Sequence, residues 1–213
     1  MSYKVLLIKI LPEYWVDDFL DGNLYLNTNM YFANLDESNR VRFDPFDGID
    51  QSRQVKEISI AAPGGDWTPI GGIINPVVFR RKESERLNIL CMYALRDQPD
   101  KPFDKRNLAF GDVAVVIGNP IEFIRRVKSA ATALEKQVFH GPVEYVDKST
   151  HDGTMGPFRK FKEHDYQNEF RIVMTNGTGS ACRLHIGNIR DIAVKGPSKD
   201  IPMLQPSTVK RDA

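Results

Sequence analysis

The stretch LNILCMYAL, Leu87–Leu95, is the most continuous apolar run in the middle of the chain. It is short for a core helix and has the length and composition of a strand buried within a sheet, so it reads as the central strand. The flanking patterns decide what it is central to. Towards the N-terminus, YKVLLIKI (Tyr3–Ile10) is a second apolar, β-branched run. PEYWVDDFLDG follows with Pro12 suited to a first helical position, Tyr14, Trp15, Phe19 and Leu20 expected on one side, and Gly22 ending the turn of helix. NLYLNT then alternates apolar and polar residues like a half-buried strand. The opening is β-α-β.

On the other side of the central run, GDVAVVIG is a strand. PIEFIRRVKSAATALEKQ is the best helix, with Pro120 at its start and a stripe of Ile121, Ile124, Val127, Ala131 and Leu134. VFHGPVEYVDK supplies one or two short strands, STHDGTMGP a flexible connector, and FRKFKEHDY a basic, aromatic helix or turn. NEFRIVMT and CRLHIG read as two strands joined in a hairpin by NGTGSA, because Asn-Gly accepts the positive φ angles of a tight turn. IRDIAVKG is the last strand. Between the opening and the central run, residues 34–53 lose all periodicity, QVKEISIAA is a strand, PGGDWTPIGG a turn-rich connector, and IINPVVFRR an edge strand interrupted by Pro76. No regular β-α alternation emerges. The expected class is α+β: a strand-rich single domain over 1–213 with two or three helices and a flexible tail over 198–213.

The bulk properties exclude little but exclude it clearly. With 29 Lys and Arg against 28 Asp and Glu, the net charge is +1 over 213 residues, so no global field draws the chain to nucleic acid or anionic lipid. No apolar run approaches the ~20 residues of a membrane span. The N-terminus lacks a signal-type apolar region, and the two cysteines, Cys91 and Cys182, lie apart in apolar runs. A cytoplasmic protein with free thiols and no membrane partner is expected.

Two tracts carry chemistry. In RVRFDPFDGID, Arg40 and Arg42 stand beside Asp44, Asp47 and two phenylalanines. The acids lack the spacing of a calcium loop, so no metal ligand set is assigned, whereas the arginines suit an anionic ligand such as a phosphate. In FKEHDYQNEFRIVM, strand phase puts Glu169 and Arg171 on one face and Phe170, Ile172 and Met174 on the other. Glu169 reads either as a solvated strand acid in a modest ion pair with Arg171, or as the acid of a pocket framed by Phe161, Tyr166 and Gln167 that polarises a ligand hydroxyl or stabilises a developing cation. His164 is the one histidine near enough in sequence to test as an acid or base. Lys9, ending the first strand, and Tyr25, in the second, would line the same cleft if the opening folds compactly.

These segments resemble two families. GNLYLNTNMYF, RFDPFDG and FKEHDYQNEFR are similar to the start, the acidic loop and the late Phe-Lys-Tyr-Glu-Arg segment of a group of bacterial and phage proteins. LLIKILPEYWVDDFLDGNLYLNT also resembles the start of ADP-ribosyltransferase-like domains, in which the first strand carries a basic or His residue and a later strand, here YQNEFRIVM, carries a catalytic glutamate. Lys9 takes the first-strand position, and no Ser-Thr-Ser follows the second strand. That resemblance implies an NAD cofactor, with Glu169 on the nicotinamide ribose, Arg40 or Arg42 on the phosphates, and Tyr25 or Tyr166 stacked on the nicotinamide. Arg171 completes the ligand-binding set, and a host protein or nucleic acid would be the acceptor. Two alternatives stand beside it: a non-catalytic phage or prophage accessory protein that binds a nucleotide or host protein, and a metal-dependent nuclease using Asp44, Asp47 and Glu169.

Overall fold

The computed structural model describes residues 5–35, 41–71, 75–96 and 101–204. In chain order the strands are β1 (Val5–Leu11), β2 (Asn23–Thr28), β3 (Gln51–Arg53), β4 (Ile58–Ile60), β5 (Thr68–Ile70), β6 (Val77–Phe79), β7 (Asn88–Arg96) and β8 (Val113–Ile117). They continue with β9 (Val138–Pro142), β10 (Glu144–Val146), β11 (Gly153–Thr154), β12 (Arg159–Phe161), β13 (Glu169–Met174), β14 (Cys182–His185) and β15 (Ala193–Pro197). The α-helices are α1 (Val16–Leu20), α2 (Asn29–Ala33) and α3 (Pro120–Thr132). The architecture is mixed, with strands dominant, and among the described residues no helix is long and apolar enough to cross a membrane.

The central run does become the hub. β7 pairs antiparallel with β13 along one edge, from Glu169 opposite Tyr93 to Met174 opposite Asn88. Its other edge is shared. β1 takes Tyr93–Arg96, while β2 takes only Asn88 and Ile89. Between them, residues 90–92 have no strand partner on that edge, so the sheet splits and a cleft opens over the middle of β7. Outside β1 lie β8 and β15, outside β2 lies β14, and β9 borders β13.

One face of the sheet is sealed by the main apolar core. Leu90, Met92, Ile172 and Met174 pack there with Val16, Phe19 and Leu20 of α1 and Phe123, Ile124, Val127 and Ala131 of α3. Asn119 caps α3 by accepting from the Glu122 N–H, with Pro120 at the first position. Two expected members of the α3 stripe are exposed. Ile121 lies roughly 120° round the helix from Val127 at 3.6 residues per turn, and Leu134 falls beyond the last helical residue.

Four other expectations are corrected. β13 and β14 form no hairpin. Asn176 does adopt a positive φ of 57°, but both edges of β13 are already taken by β7 and β9. The chain therefore crosses the start of β7, where the Gly177 N–H donates to the Arg86 carbonyl at 2.9 Å, and pairs with the open edge of β2. The STHDGTMGP segment is anchored through β11 on β3, with Met155 buried against Ile49 and Phe161. Ser198–Met203 forms a 3-10 turn that buries Ile201 against Ile8, Ile10 and Ala114, while residues 205–213 lie outside the described residues. Finally, Tyr14 and Trp15 do not join the buried side of α1. They sit in a preceding 3-10 turn and are exposed, and the inward side is Val16, Phe19 and Leu20.

Candidate functional site

The two chemically rich tracts meet behind the split. In the first, the Asp44 carboxylate accepts from the Phe46 N–H at 3.0 Å, and the Asp47 N–H donates to the Asp44 carbonyl at 3.0 Å, a side-chain-stabilised turn of the kind aspartate favours. Gly48 closes it at φ +69°, where a Cβ would overlap the Asn29 amide. This turn aims both carboxylates inward. In the second tract, Asn168 takes a left-handed conformation, φ 40°, and its amide bonds the Ala94 carbonyl. That kink ends the preceding 3-10 turn and starts β13 in register, so Glu169 and Arg171 point together towards the Asp44–Asp47 turn.

Arg171 is completely buried. Its guanidinium grips Asp47 in a two-bond fork at 2.8 and 2.7 Å, donates through Nε to Glu169 Oε2 at 2.7 Å, and donates to the Pro157 carbonyl at 2.8 Å. The other Glu169 oxygen, Oε1, accepts from Lys160 Nζ at 3.1 Å. The Lys160 ammonium also reaches Gln167 Oε1 at 2.8 Å, Asp44 at 3.2 Å and Asp47 at 3.7 Å. The solvated-edge reading of Glu169 and Arg171 is thereby overturned: β13 is an interior strand, and the Asp44–Asp47 turn covers its polar face.

Charge follows burial. Burial pushes the Glu169 carboxyl up, but Arg171 and Lys160 outweigh it and hold the group well below the ordinary carboxylate range. Burial likewise opposes the Lys160 charge, and Glu169, Asp47 and Asp44 more than restore it. His164 faces Asp44 at 3.5 Å, and burial depresses its imidazolium. It belongs to this network's outer edge and does not line the cleft. The three acids of the nuclease alternative do converge, but on the Lys160 ammonium, which occupies the place a cation would need. Among the described residues no group of three His, Cys, Asp or Glu side chains is arranged to hold a metal.

Glu169 is also the closed end of the cleft. The cavity is about 570 Å³ and is lined from one side by Lys9, Leu11 and Phe110, from below by Ile89–Tyr93, and from the other side by Asn23, Tyr25 and Asn27. Lys160, Gln167, Asp47 and Arg42 join Glu169 in its wall. The split explains Lys9. Its Nζ donates at 2.8 Å to the Cys91 carbonyl, a strand carbonyl with no strand facing it. Burial lowers the Lys9 ammonium, and the charge of Arg42 pushes the same way. Arg42 is itself tied to a backbone carbonyl, that of Phe110, at 3.3 Å. The Cys91 thiol is pushed up to about 12 by burial and then by Glu169, which keeps it protonated.

Glu169, Lys9, Tyr25 and Arg42 therefore line one cleft. Arg171 stands behind Glu169 as its support. Arg40 lies outside the described residues. Tyr166 is not in the cleft wall: its ring is covered by the Arg106 guanidinium at 3.7 Å, and its backbone carbonyl accepts from Asn107. Phe161 is buried in a separate apolar cluster. Residues the sequence reading did not single out are Lys160 and, at the cleft mouth, Tyr14, Trp15 and Arg183. Lys160 carries no local signal, because its partners come from residues 44–47 and 167–169.

No family model matches the chain, and no curated protein or solved structure matches it significantly.

Proposed function

We propose that the cleft binds a nucleotide, NAD in the reading that the sequence resemblance implies, and that Glu169 is the acid on which turnover depends. The observation that carries this is the convergence of Glu169 with Lys9, Arg42 and Tyr25, from three remote segments, on one cavity of about 570 Å³, within the range of small-molecule sites. An ADP-ribosyltransferase-like arrangement is further supported by a first strand that delivers a basic residue and a late strand that delivers a glutamate to the same cleft.

In this reading the bond between nicotinamide and ribose breaks, the electron pair leaves with nicotinamide, and positive charge develops on the ribose. Glu169, held ionised by Arg171 and Lys160, accepts a hydrogen bond from a ribose hydroxyl and stabilises that charge. It does not donate a proton, because its neutral form is disfavoured. Water, or a nucleophile of an acceptor protein or nucleic acid, then adds to the ribose and loses its proton to solvent. Lys9 and Arg42 meet the phosphates.

The test is incubation with NAD, alone and with protein or nucleic acid acceptors, and chromatographic measurement of free nicotinamide. Glu169→Gln is expected to lower release by about 10²-fold or more while circular dichroism shows a retained fold. No release from the unaltered protein under any of these conditions sinks the catalytic reading. A second reading, a non-catalytic nucleotide binder, is favoured by one observation: both Glu169 oxygens already have cationic partners. It expects calorimetric binding that survives Glu169→Gln and is lost in Arg42→Ala.

A further inference from the structure

The mouth of the cleft contradicts the pattern of its own sequence. Helical spacing expects Tyr14 and Trp15 to be buried with Phe19, yet they are 78% and 45% exposed, and Tyr25 beside them is 51% exposed. Rings of this size are ordinarily where a protein buries most apolar area. Here the turn from Glu13 to Trp15 directs them away from the core, and all three line the cavity that ends at Glu169.

Arg183 stands among them. Its guanidinium carbon lies 5.9 Å from the Trp15 ring centre and also 5.9 Å from that of Tyr25. That differs from Arg106, which lies at 3.7 Å on Tyr166 in direct stacking contact. At 5.9 Å Arg183 is within cation–π reach of both rings but not stacked on either, and although Tyr14 also lies 5.7 Å from Trp15, each ring keeps about half its surface exposed. Arg183 is held in place from its own side by Asp18 at 3.4 Å, and Asp18 is fixed in turn by the Asn23 amide at 2.8 Å. Two half-exposed rings, a planar cation held beside them by the Asp18 carboxylate, and the amide of Asn27 in the same wall form a receptor for a flat, hydrogen-bonding ring.

We infer that Trp15, Tyr25 and Arg183 form a stacking subsite for the nucleobase of the ligand, at the open end of the cleft whose closed end is Glu169. This rests on the nucleotide reading of the cleft, adds which end of the ligand lies outward, and assigns Tyr25 to the outer base instead of to the nicotinamide. Ring stacking of this kind tolerates any base, so the subsite sets affinity for base-bearing ligands as a class, while the Asn27 amide in the same wall is placed to choose among them.

The chain has two tryptophans, and the other, Trp67, lies in the β4–β5 hairpin outside the cleft. In a Trp67→Phe background the fluorescence of Trp15 alone reports the rim. Titration with AMP or NAD is expected to quench it saturably, and ribose 5-phosphate is expected not to. By calorimetry, Trp15→Ala should weaken AMP binding about tenfold, in line with the loss of one stacked base, leave ribose 5-phosphate binding unchanged, and be rescued by Trp15→Phe. Equal affinity for AMP and ribose 5-phosphate, no AMP binding at all, or AMP binding indifferent to Trp15→Ala overturns the inference. Failure here is separable from failure of catalysis. Quenching retained without nicotinamide release fells only the catalytic reading, and release with AMP binding indifferent to Trp15→Ala fells only the rim.

Discussion

Arg171 and Arg126 each hold two acids, and the comparison separates two uses of one interaction. Arg171 bonds Asp47 and Glu169 with its side chain at 0% exposure, joining segments 124 positions apart. Arg126 bonds Glu122 and Asp191 at 2.8 and 2.5 Å on the outside of α3. The geometry is alike, but the solvent is not. Water can replace either partner of Arg126, whereas a partner removed from Arg171 leaves a charge stranded where water does not reach. A buried pair therefore gives little net stability over an apolar replacement, yet costs heavily when half of it is deleted. That cost is what holds Glu169 fixed and ionised.

The largest expected effect follows directly. Arg171→Met strands Asp47 and Glu169 together and also frees the Pro157 carbonyl. It should destabilise the fold by about 3–5 kcal/mol, a large part of a typical domain's stability, read as a lower urea midpoint. The comparison is sharpened by a second change. Arg171→Met combined with Asp47→Leu restores the original balance of one excess acid among the remaining charges, and should recover part of the loss. If the double variant is as unstable as the single one, packing rather than stranded charge explains the cost. Lys160→Met comes next, at about 3 kcal/mol, because its ammonium is shared among Asp44, Asp47 and Glu169 but makes no fork with any of them.

Much of this was legible in the sequence, and what was not has a physical reason. The strand phase that puts Glu169 with Arg171 is local, so FKEHDYQNEFRIVM revealed it. Whether that face meets water is not local. It depends on a turn at residues 44–48 whose inward aim rests on Gly48 packing against Asn29. The false hairpin after β13 has a similar origin: Asn176-Gly177 has the right turn chemistry, but the choice of partner strand was made by β9, which already occupied the free edge of β13. Tyr14 and Trp15 fit a helical stripe and still point outward, so the cleft mouth is where the local pattern and the packing part company.

Acid titration should separate two groups of the buried network, Glu169 and His164, by pH. Glu169 has a folded value below its unfolded one, near 4.3, so the unfolded chain takes the proton first. Its contribution is present above pH ~4.3 and is lost as pH falls towards the folded value. His164 is depressed by burial, so the unfolded chain also protonates first there, and stability begins to fall below pH ~6.5. Urea midpoints should therefore decline in two windows. His164→Gln should remove the upper one, and Lys160→Met should shrink the lower one by the Glu169 share, raising Glu169 back towards its ordinary value while the other depressed acids, Glu122 among them, remain. A single decline centred near pH 3 in all three proteins would break the assignment.

The smallest effect is the other half of the comparison. Arg126→Ala removes bonds to both Glu122 and Asp191 and also to the Asn188 carbonyl, as many partners as Arg171 has acids and carbonyls. Glu122 is held down to about 2 by Arg125 and Arg126, yet it keeps contact with solvent and has Arg125 still beside it at 2.7 Å. Pairs that still reach solvent, as these do with Arg126 20% and Glu122 24% exposed, are partly screened and cost side-chain freedom to form. The urea midpoint of Arg126→Ala should stay within experimental error of the unaltered protein, at low and at high salt. A loss rivalling that of Arg171→Met would mean that partner number, and not burial, governs these networks, and that the charge around Glu169 is no more specialised than the charge on the outside of α3.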